Sequence, residues 1–354
     1  MKREAREIKI GNKIIGEGKP TFIIAEAGVN HNGRLDLALQ LVDVAADAGA
    51  DAIKFQTFKA EQVVTRSVEM AEYQKKNMDK TESQIKMLKN LEFNEKWYPK
   101  VIKRCQKRGI IFFSTPHGSF ASVDLLQKIG VPAFKFGSGD LTNLPVLKYV
   151  AKFKKPMILG TGMATMREVK EAIKIIKSAG NDKIIVLHCT TSYPCSFNEV
   201  NLRAMQSMIK KSGVLVGYSD HTSGSQVPVM AVTLGAQVVE KHLTLDNNMN
   251  GPDHKASANQ TVFKEMVDEI RKAEIILGNS EKKPIPSEIK MRFDIRKSLV
   301  ALNNIKKGEV FSYKNIGIKR PGIGLPPKYL FKILGKKSKR NLKTDTLIKK
   351  NDFV

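Results

Sequence analysis

A (β/α)₈ barrel followed by a small β-rich module is the architecture this sequence predicts, and three observations predict it. Short β-branched or aromatic runs alternate with longer stretches of helical periodicity, the signature of repeated strand–helix units. Eight such runs occur, and they end before a polar, proline-punctuated stretch, NSEKKPIPSEIK, that starts at residue 279. The length of 354 residues accommodates one core of about 250 residues and a smaller second domain.

The strands in order are TFIIAE, DAIKFQ, IIFFST, AFKFGS, PMILGT, KIIVLHC, VLVGYS and QVVEKH. Between them lie helical segments such as LDLALQLVDVAADAG and TMREVKEAIKIIKSAG, each closed by a glycine, the residue that best tolerates the backbone turn past a helix end. A doubly wound open sheet is the runner-up. It would carry a GxGxxG turn after its first strand, and AEAGVNHNG supplies none. A long insertion, residues 59 to 92, follows the second strand and reads as a helical lid or a subunit contact. The expected domains are 1–278 for the barrel, 279–290 for a linker and 291–354 for the tail module, which is too small for a large core of its own and is expected to pack against a barrel.

Composition narrows the function classes. No apolar run approaches the ~18 residues a membrane span needs, and the N-terminus lacks a secretory signal, so a cytoplasmic location without a membrane is expected. Three cysteines without CxxC spacing form neither a disulfide framework nor a zinc site. The formal charge of +25 is concentrated in the tail, where 20 Lys+Arg stand against 6 Asp+Glu from residue 281 onward. Such a surplus attracts phosphorylated metabolites, nucleic acid or acidic lipid. The tail aromatics lack the regular spacing of a base-stacking platform, so nucleic-acid binding is not expected.

In a barrel, chemistry gathers at the C-terminal ends of the strands. Seven of the eight runs deliver a polar residue there: Glu26, Lys54 with Gln56, Thr115, Lys135, Thr191, Ser219 with His221, and His242. Residues two apart on a strand share a face, so Lys54 aligns with Gln56, Ser219 with His221, and Glu240 with His242, while Lys241 points away. His221 and His242, on adjacent strands, can approach one metal ion and leave positions for water and substrate, which suits Mn²⁺, Co²⁺ or Zn²⁺ better than Mg²⁺. Lys54 and Lys135 sit inside apolar runs and need an anion. Glu26 is one candidate. A ligand phosphate wrapped by the FGSGD turn with Ser138, Thr115 and Ser219 is another. Cations around Glu26 are expected to hold its pKa down. Asp140, Asp220 and Asp253 divide between hydroxyl recognition, histidine orientation and loop capping, and His31, beside Glu26, is read as a contact to the substrate or to the residues that hold it.

Taken together, FIIAEAGVNHNG, KFQTFKAE, FSTPH, KFGSGD, GTGM, GYSDHT, EKHLTLD and GPDHKAS resemble the sialic acid synthase family, which condenses phosphoenolpyruvate with an N-acetylated amino sugar. The tail, with KSLVA, IKKGE and IKRPGIG, resembles the antifreeze-like SAF domain that ends those enzymes. The resemblance implies a homodimer in which the tail of one chain covers the barrel mouth of its partner. It implies that His221 and His242 bind a divalent metal, usually Mn²⁺, with Co²⁺ or Mg²⁺ as alternatives. It further implies that Lys54, Thr115, Lys135, Ser138, Thr191 and Ser219 surround phosphoenolpyruvate, that Gln56, Asp140, Tyr193, Asp253 and Arg320 serve the sugar, and that Glu26 is catalytic. Thr191 and Asp140 depart from the Asn and Glu of capsule-type members. The product implied is N-acetylneuraminate, with N,N'-diacetyllegionaminate as the second reading. On the residues alone, a Schiff-base aldolase using Lys54 or Lys135 stays open, as does a nucleic-acid-binding role for the basic tail.

Overall fold

In the computed structural model, which describes residues 6–70, 75, 78, 83–117 and 119–354, the chain divides into two compact units, Met1–Gly278 and Asn279–Val354. The first unit opens with a hairpin, β1 (Glu7–Ile10) and β2 (Lys13–Gly16), turned at Gly11 in the left-handed region. The sequence reading assigned nothing here, because four-residue strands carry little periodicity.

The eight expected strands all form. They are β3 (Phe22–Gly28), β4 (Ala52–Thr57), β5 (Ile111–Pro116), β6 (Phe134–Phe136), β7 (Met157–Gly160), β8 (Ile184–His188), β9 (Leu215–Asp220) and β10 (Val238–His242). They make one parallel sheet in the order β5-β4-β3-β10-β9-β8-β7-β6, and β5 lies beside β6 to close it into a barrel.

The helices cover the outside. Two of them, α1 (Leu35–Asp47) and further on α2 (Ala60–Val63), flank β4, and α3 (Gln84–Asn90) belongs to the insertion. The α4 helix (Met166–Ser178) starts with a capping box between Thr165 and Glu168 and ends ahead of Gly180 at φ +78°, as its sequence predicts. The last barrel helix is α5 (Gln260–Leu277). None of the helices among the described residues is long and apolar enough to cross a membrane.

Strand alternation splits the core in two. Outward residues such as Ile23, Ile53, Phe55, Phe134 and Val239 pack under the helices. Inward residues Phe22, Ile24, Phe113, Ile158, Leu187 and Val238 fill the barrel, and Ile8, Ile10 and Ile15 of the hairpin join them. Phe22 and Val238 open their strands, so the hairpin plugs the N-terminal end. Gly217 belongs to this interior: a Cβ there would collide with the Val238 carbonyl and the Leu187 side chain.

The second unit pairs β11 (Ser298–Ala301) with β12 (Ile316–Lys319), antiparallel. Its core gathers Leu299, Ile305, Phe311, Leu325, Ile333 and Ile348 from strand, turns and the short helix Leu330–Ile333. The 279–290 stretch, expected as a plain linker, contains the start of a helix, α6 (Pro286–Ile295). Pro286 caused the misreading: the proline taken as a breaker occupies the first helical position, where its missing N–H costs nothing.

Candidate active site

Climbing each strand along its inward face, apolar residues give way to polar ones: Ile24 to Glu26, Ala52 to Lys54 and Gln56, Phe113 to Thr115, Ala133 to Lys135, Val238 to Glu240 and His242. Of the site residues expected from the sequence, all but His31, Asp140, Asp220 and Arg320 line one cavity of about 280 Å³ at this C-terminal mouth. Asp140 stands behind it, with Oδ2 3.8 Å from Nδ1 of the cavity-lining His117. Arg320 is an exposed residue of the C-terminal unit, just past β12.

Four charged side chains, each 2–5% exposed, form the floor. Lys54 Nζ lies 2.9 Å from Glu26 Oε2 and 3.7 Å from Glu240 Oε2, and donates to Thr115 Oγ1 at 3.0 Å. Lys135 Nζ lies 3.1 Å from Glu240 Oε1, which also accepts from Ser219 Oγ at 3.0 Å. The anion that the two lysines require is therefore present in the protein, and the central one is Glu240. Sequence reasoning placed Glu240 on the face of His242 and gave it no role.

Burial and charge pull the two carboxyls apart. Glu240, held between both lysines, is driven well below the usual carboxylate range despite its burial. Glu26 goes the other way, up to about 7, because desolvation and the Glu240 charge outweigh Lys54. The expectation of a depressed Glu26 is corrected: counting neighbouring cations omits the cost of removing a carboxylate from water. Burial raises Asp253 to about 6 as well. Gly28, at a bulge of β3 with φ +52°, lets these groups meet, since a Cβ would press on Gln56 Nε2, Glu26 Oε1 and Asp253 Oδ2.

The imidazoles of His221 and His242 face each other with centroids 5.6 Å apart. His221 Nδ1 donates to the Thr190 carbonyl at 2.6 Å, which leaves Nε2 as the lone-pair nitrogen. His242 Nδ1 is buried without a hydrogen-bond partner, and burial keeps both rings neutral. Two neutral imidazoles, one oriented by a carbonyl and one with an orphaned nitrogen, fit a divalent cation. Among the described residues no cluster of three or more His, Cys, Asp or Glu suits a metal, so the other positions would fall to water and substrate. Tyr193 packs against His221, the ring centroids 4.2 Å apart and the planes tilted by 40°.

On the opposite wall Gly137, Ser138 and Gly139 line the cavity. The Gly162 amide donates to Ser138 Oγ at 2.9 Å and to Cys189 Sγ at 3.1 Å, and a Cβ at Gly162 would strike Thr191 Oγ1. The glycines of GSGD and GTGM thus bring Ser138, Thr191 and Cys189 together. Cys189 and His117 are cavity residues that the sequence reading passed over, although FSTPH placed His117 two residues past Thr115. His31 is not a substrate contact: it is buried among Phe55, Phe93 and Trp97. Lys241 points outward, as alternation predicts, and is ion-paired with Asp220 while donating to the Thr222 carbonyl at 2.7 Å.

The NeuB family model matches residues 41–282, and the SAF domain model matches residues 296–354. The chain belongs to the NeuB family. It is 47% identical to the N,N'-diacetyllegionaminic acid synthase of Campylobacter jejuni, covering 94% of this chain and 99% of that one. With the N,N'-diacetyllegionaminic acid synthase of Legionella pneumophila it shares 43% identity over 96% of each chain. The crystal structure of the N-acetylneuraminic acid synthetase of Leptospira borgpetersenii in complex with citrate superposes with a TM-score of 0.74 at 36% identity, over 82% of this chain and 96% of that one.

Proposed function

We propose that this NeuB-family enzyme condenses phosphoenolpyruvate with the open-chain aldehyde of an N-acetylated amino sugar, releasing inorganic phosphate. The observation that carries the reading is the meeting, in one cavity, of two buried lysines, the GSGD turn and a neutral imidazole pair. Relatives named as synthases of acidic sugars support it. Their names favour N,N'-diacetyllegionaminate as product over N-acetylneuraminate, reversing the order drawn from motifs alone.

Lys54, Lys135, Thr115 and Ser138 hold the phosphate and carboxylate of phosphoenolpyruvate. On the floor two ammoniums face Glu240, which is ionised, and Glu26, which titrates near neutrality, so a phosphate-bearing anion with more than one charge calls for additional positive charge. His221 and His242 would hold a divalent cation, Mn²⁺ first and Co²⁺ or Mg²⁺ next, which when bound supplies that charge and polarises the aldehyde oxygen. Carbon 3 of phosphoenolpyruvate then attacks the aldehyde carbon, and carbon 2 gains positive character. Water adds there, giving its proton to Glu26, whose raised pKa makes it a proton acceptor near neutrality and which passes the proton on to the alkoxide left by the aldehyde oxygen. The tetrahedral adduct loses phosphate by C–O cleavage, its hydroxyl proton leaving with the phosphate as the ketone forms, while the lysines stabilise the departing charge. Gln56, Tyr193 and Asp253 orient the sugar.

A homodimer is also proposed. Ile275 and Ile276, 81% and 83% exposed on α5, and Phe293, 56% exposed on α6, leave apolar surface for a second copy to cover. A cytoplasmic location is proposed with it.

Release of phosphate from phosphoenolpyruvate, dependent on an acceptor sugar and abolished by a chelator, tests the condensation. Activity that survives chelation, together with borohydride trapping of substrate carbon on Lys54 or Lys135, would replace it with a Schiff-base aldolase.

A further inference from the structure

We infer that His117 is a further specificity residue, accepting at Nε2 a hydrogen bond from a hydroxyl or amide N–H of the acceptor sugar, and that Asp140 acts through it as a positioning residue. The inference rests on the condensation reading above and goes beyond it, since that reading gives neither residue a task.

His117 follows the last residue of β5, and its backbone N–H donates to the Thr57 carbonyl at the end of β4 at 3.1 Å. The parallel pairing of these two strands is thereby carried one step past the sheet, and the side chain is delivered to the cavity wall. Two neighbours fix it there. On one side the Phe58 ring meets the imidazole edge-on with centroids 5.8 Å apart, and Phe58 is itself held in an apolar cluster with Val29, Met70, Met87 and Leu91. On the other, Asp140 Oδ2 lies 3.8 Å from Nδ1, brought there by the turn Ser138–Asp140, whose first two residues line the cavity.

A carboxylate facing Nδ1 favours the tautomer that carries its proton there, which leaves Nε2 with a lone pair. Burial, and after it the charges of Lys54 and Lys135, keep the ring neutral, its pKa brought down to about 4. Nε2 is therefore a hydrogen-bond acceptor. The side chain is 29% exposed, so a ligand in the cavity can reach it. Which substrate it meets follows from donor and acceptor chemistry. Ionised phosphoenolpyruvate offers acceptor oxygens, which suit the ammoniums of Lys54 and Lys135 and repel a lone pair. An N-acetylated sugar carries hydroxyls and an amide N–H, and each can donate to Nε2. Asp140, which the family resemblance assigns to the sugar, stands behind the ring and acts by holding its tautomer and orientation.

The test uses the full-length protein with Mn²⁺ and phosphoenolpyruvate, with N-acetylmannosamine and 2,4-diacetamido-2,4,6-trideoxymannose as acceptors and phosphate release as the readout. His117→Phe keeps a flat ring and removes both nitrogens, and it should raise the acceptor KM about 30-fold while the KM for phosphoenolpyruvate stays put. His117→Gln, whose amide oxygen can stand in for Nε2, should recover most of that loss, which a packing role would not predict. The isosteric change Asp140→Asn should raise the acceptor KM about 10-fold by itself and add nothing to His117→Phe. An unchanged acceptor KM in His117→Phe, a rise in the phosphoenolpyruvate KM instead, or no recovery with glutamine overturns the role of His117 and leaves condensation standing. Full additivity of the changes at His117 and Asp140 overturns the positioning role. No phosphate release by the wild-type protein with either acceptor overturns the condensation reading and this inference with it.

Discussion

The two ends of the barrel are made by the same eight strands and are chemically opposite. At the N-terminal end, Phe22, Phe113 and Val238 meet the isoleucines of the hairpin in a dry core. Two to four residues further along, the same inward faces present Glu26, Thr115 and Glu240 in a cavity. Stability is concentrated at one end and charge at the other, as expected where a packed interior supports a reactive rim. The difference teaches that adjacent inward positions on one strand respond to substitution in different observables, one in melting temperature and the next in turnover.

Substitutions at the mouth should break that contrast on the side of activity. His221→Ala and His242→Ala should each lower kcat at least about 10³-fold, roughly 4 kcal/mol of lost barrier reduction, with the melting temperature nearly unchanged. Wild-type turnover in either variant would remove that ring from the site. At the other end, Ile10→Ala, at a fully buried position of the plug, should cost about 2–5 kcal/mol of stability in a denaturant titration and leave kcat intact. A large loss of turnover without destabilisation would show that the ends are not separable.

The remaining predictions sharpen the comparison within the mouth. Glu26 must be deprotonated to accept a proton, and burial places its pKa near about 7. Turnover should therefore rise with pH up to that region and level off above it. Glu26→Gln should abolish this limb of the profile, and a variant with an unchanged profile would return Glu26 to a structural ion pair. The smallest effect is expected for Arg320→Ala, about a 10-fold rise in the acceptor KM with no change for phosphoenolpyruvate. Unaltered acceptor kinetics would exclude the C-terminal unit from sugar binding.

The strands and most of the mouth were legible in the sequence because apolar runs that end in a polar residue have a two-residue period, and that period assigns faces without coordinates. Lys54, Lys135, His221 and His242 were found this way. What escaped was whatever depends on three-dimensional sums. The sign of the Glu26 shift is a balance of burial against two neighbouring charges, which spacing does not reveal. Glu240 was seen as a neighbour of His242, but its place between two lysines from distant strands was not. Met87 and Leu91 lay in an insertion read as a helical lid or a subunit contact, since a cavity wall and a packed face share the same spacing. The hairpin and α6 were lost to shortness and to an N-terminal proline. Asp140, one residue beyond the turn that lines the cavity, shows how a motif can place a residue near a site without placing it inside.

The isoleucine plug also governs traffic. A cylinder stoppered at its base has a single doorway, so reactants and products must share it. A reactant anchored on the floor is then expected to enter before one that rests near the rim, and initial-rate kinetics with both reactants varied checks that order.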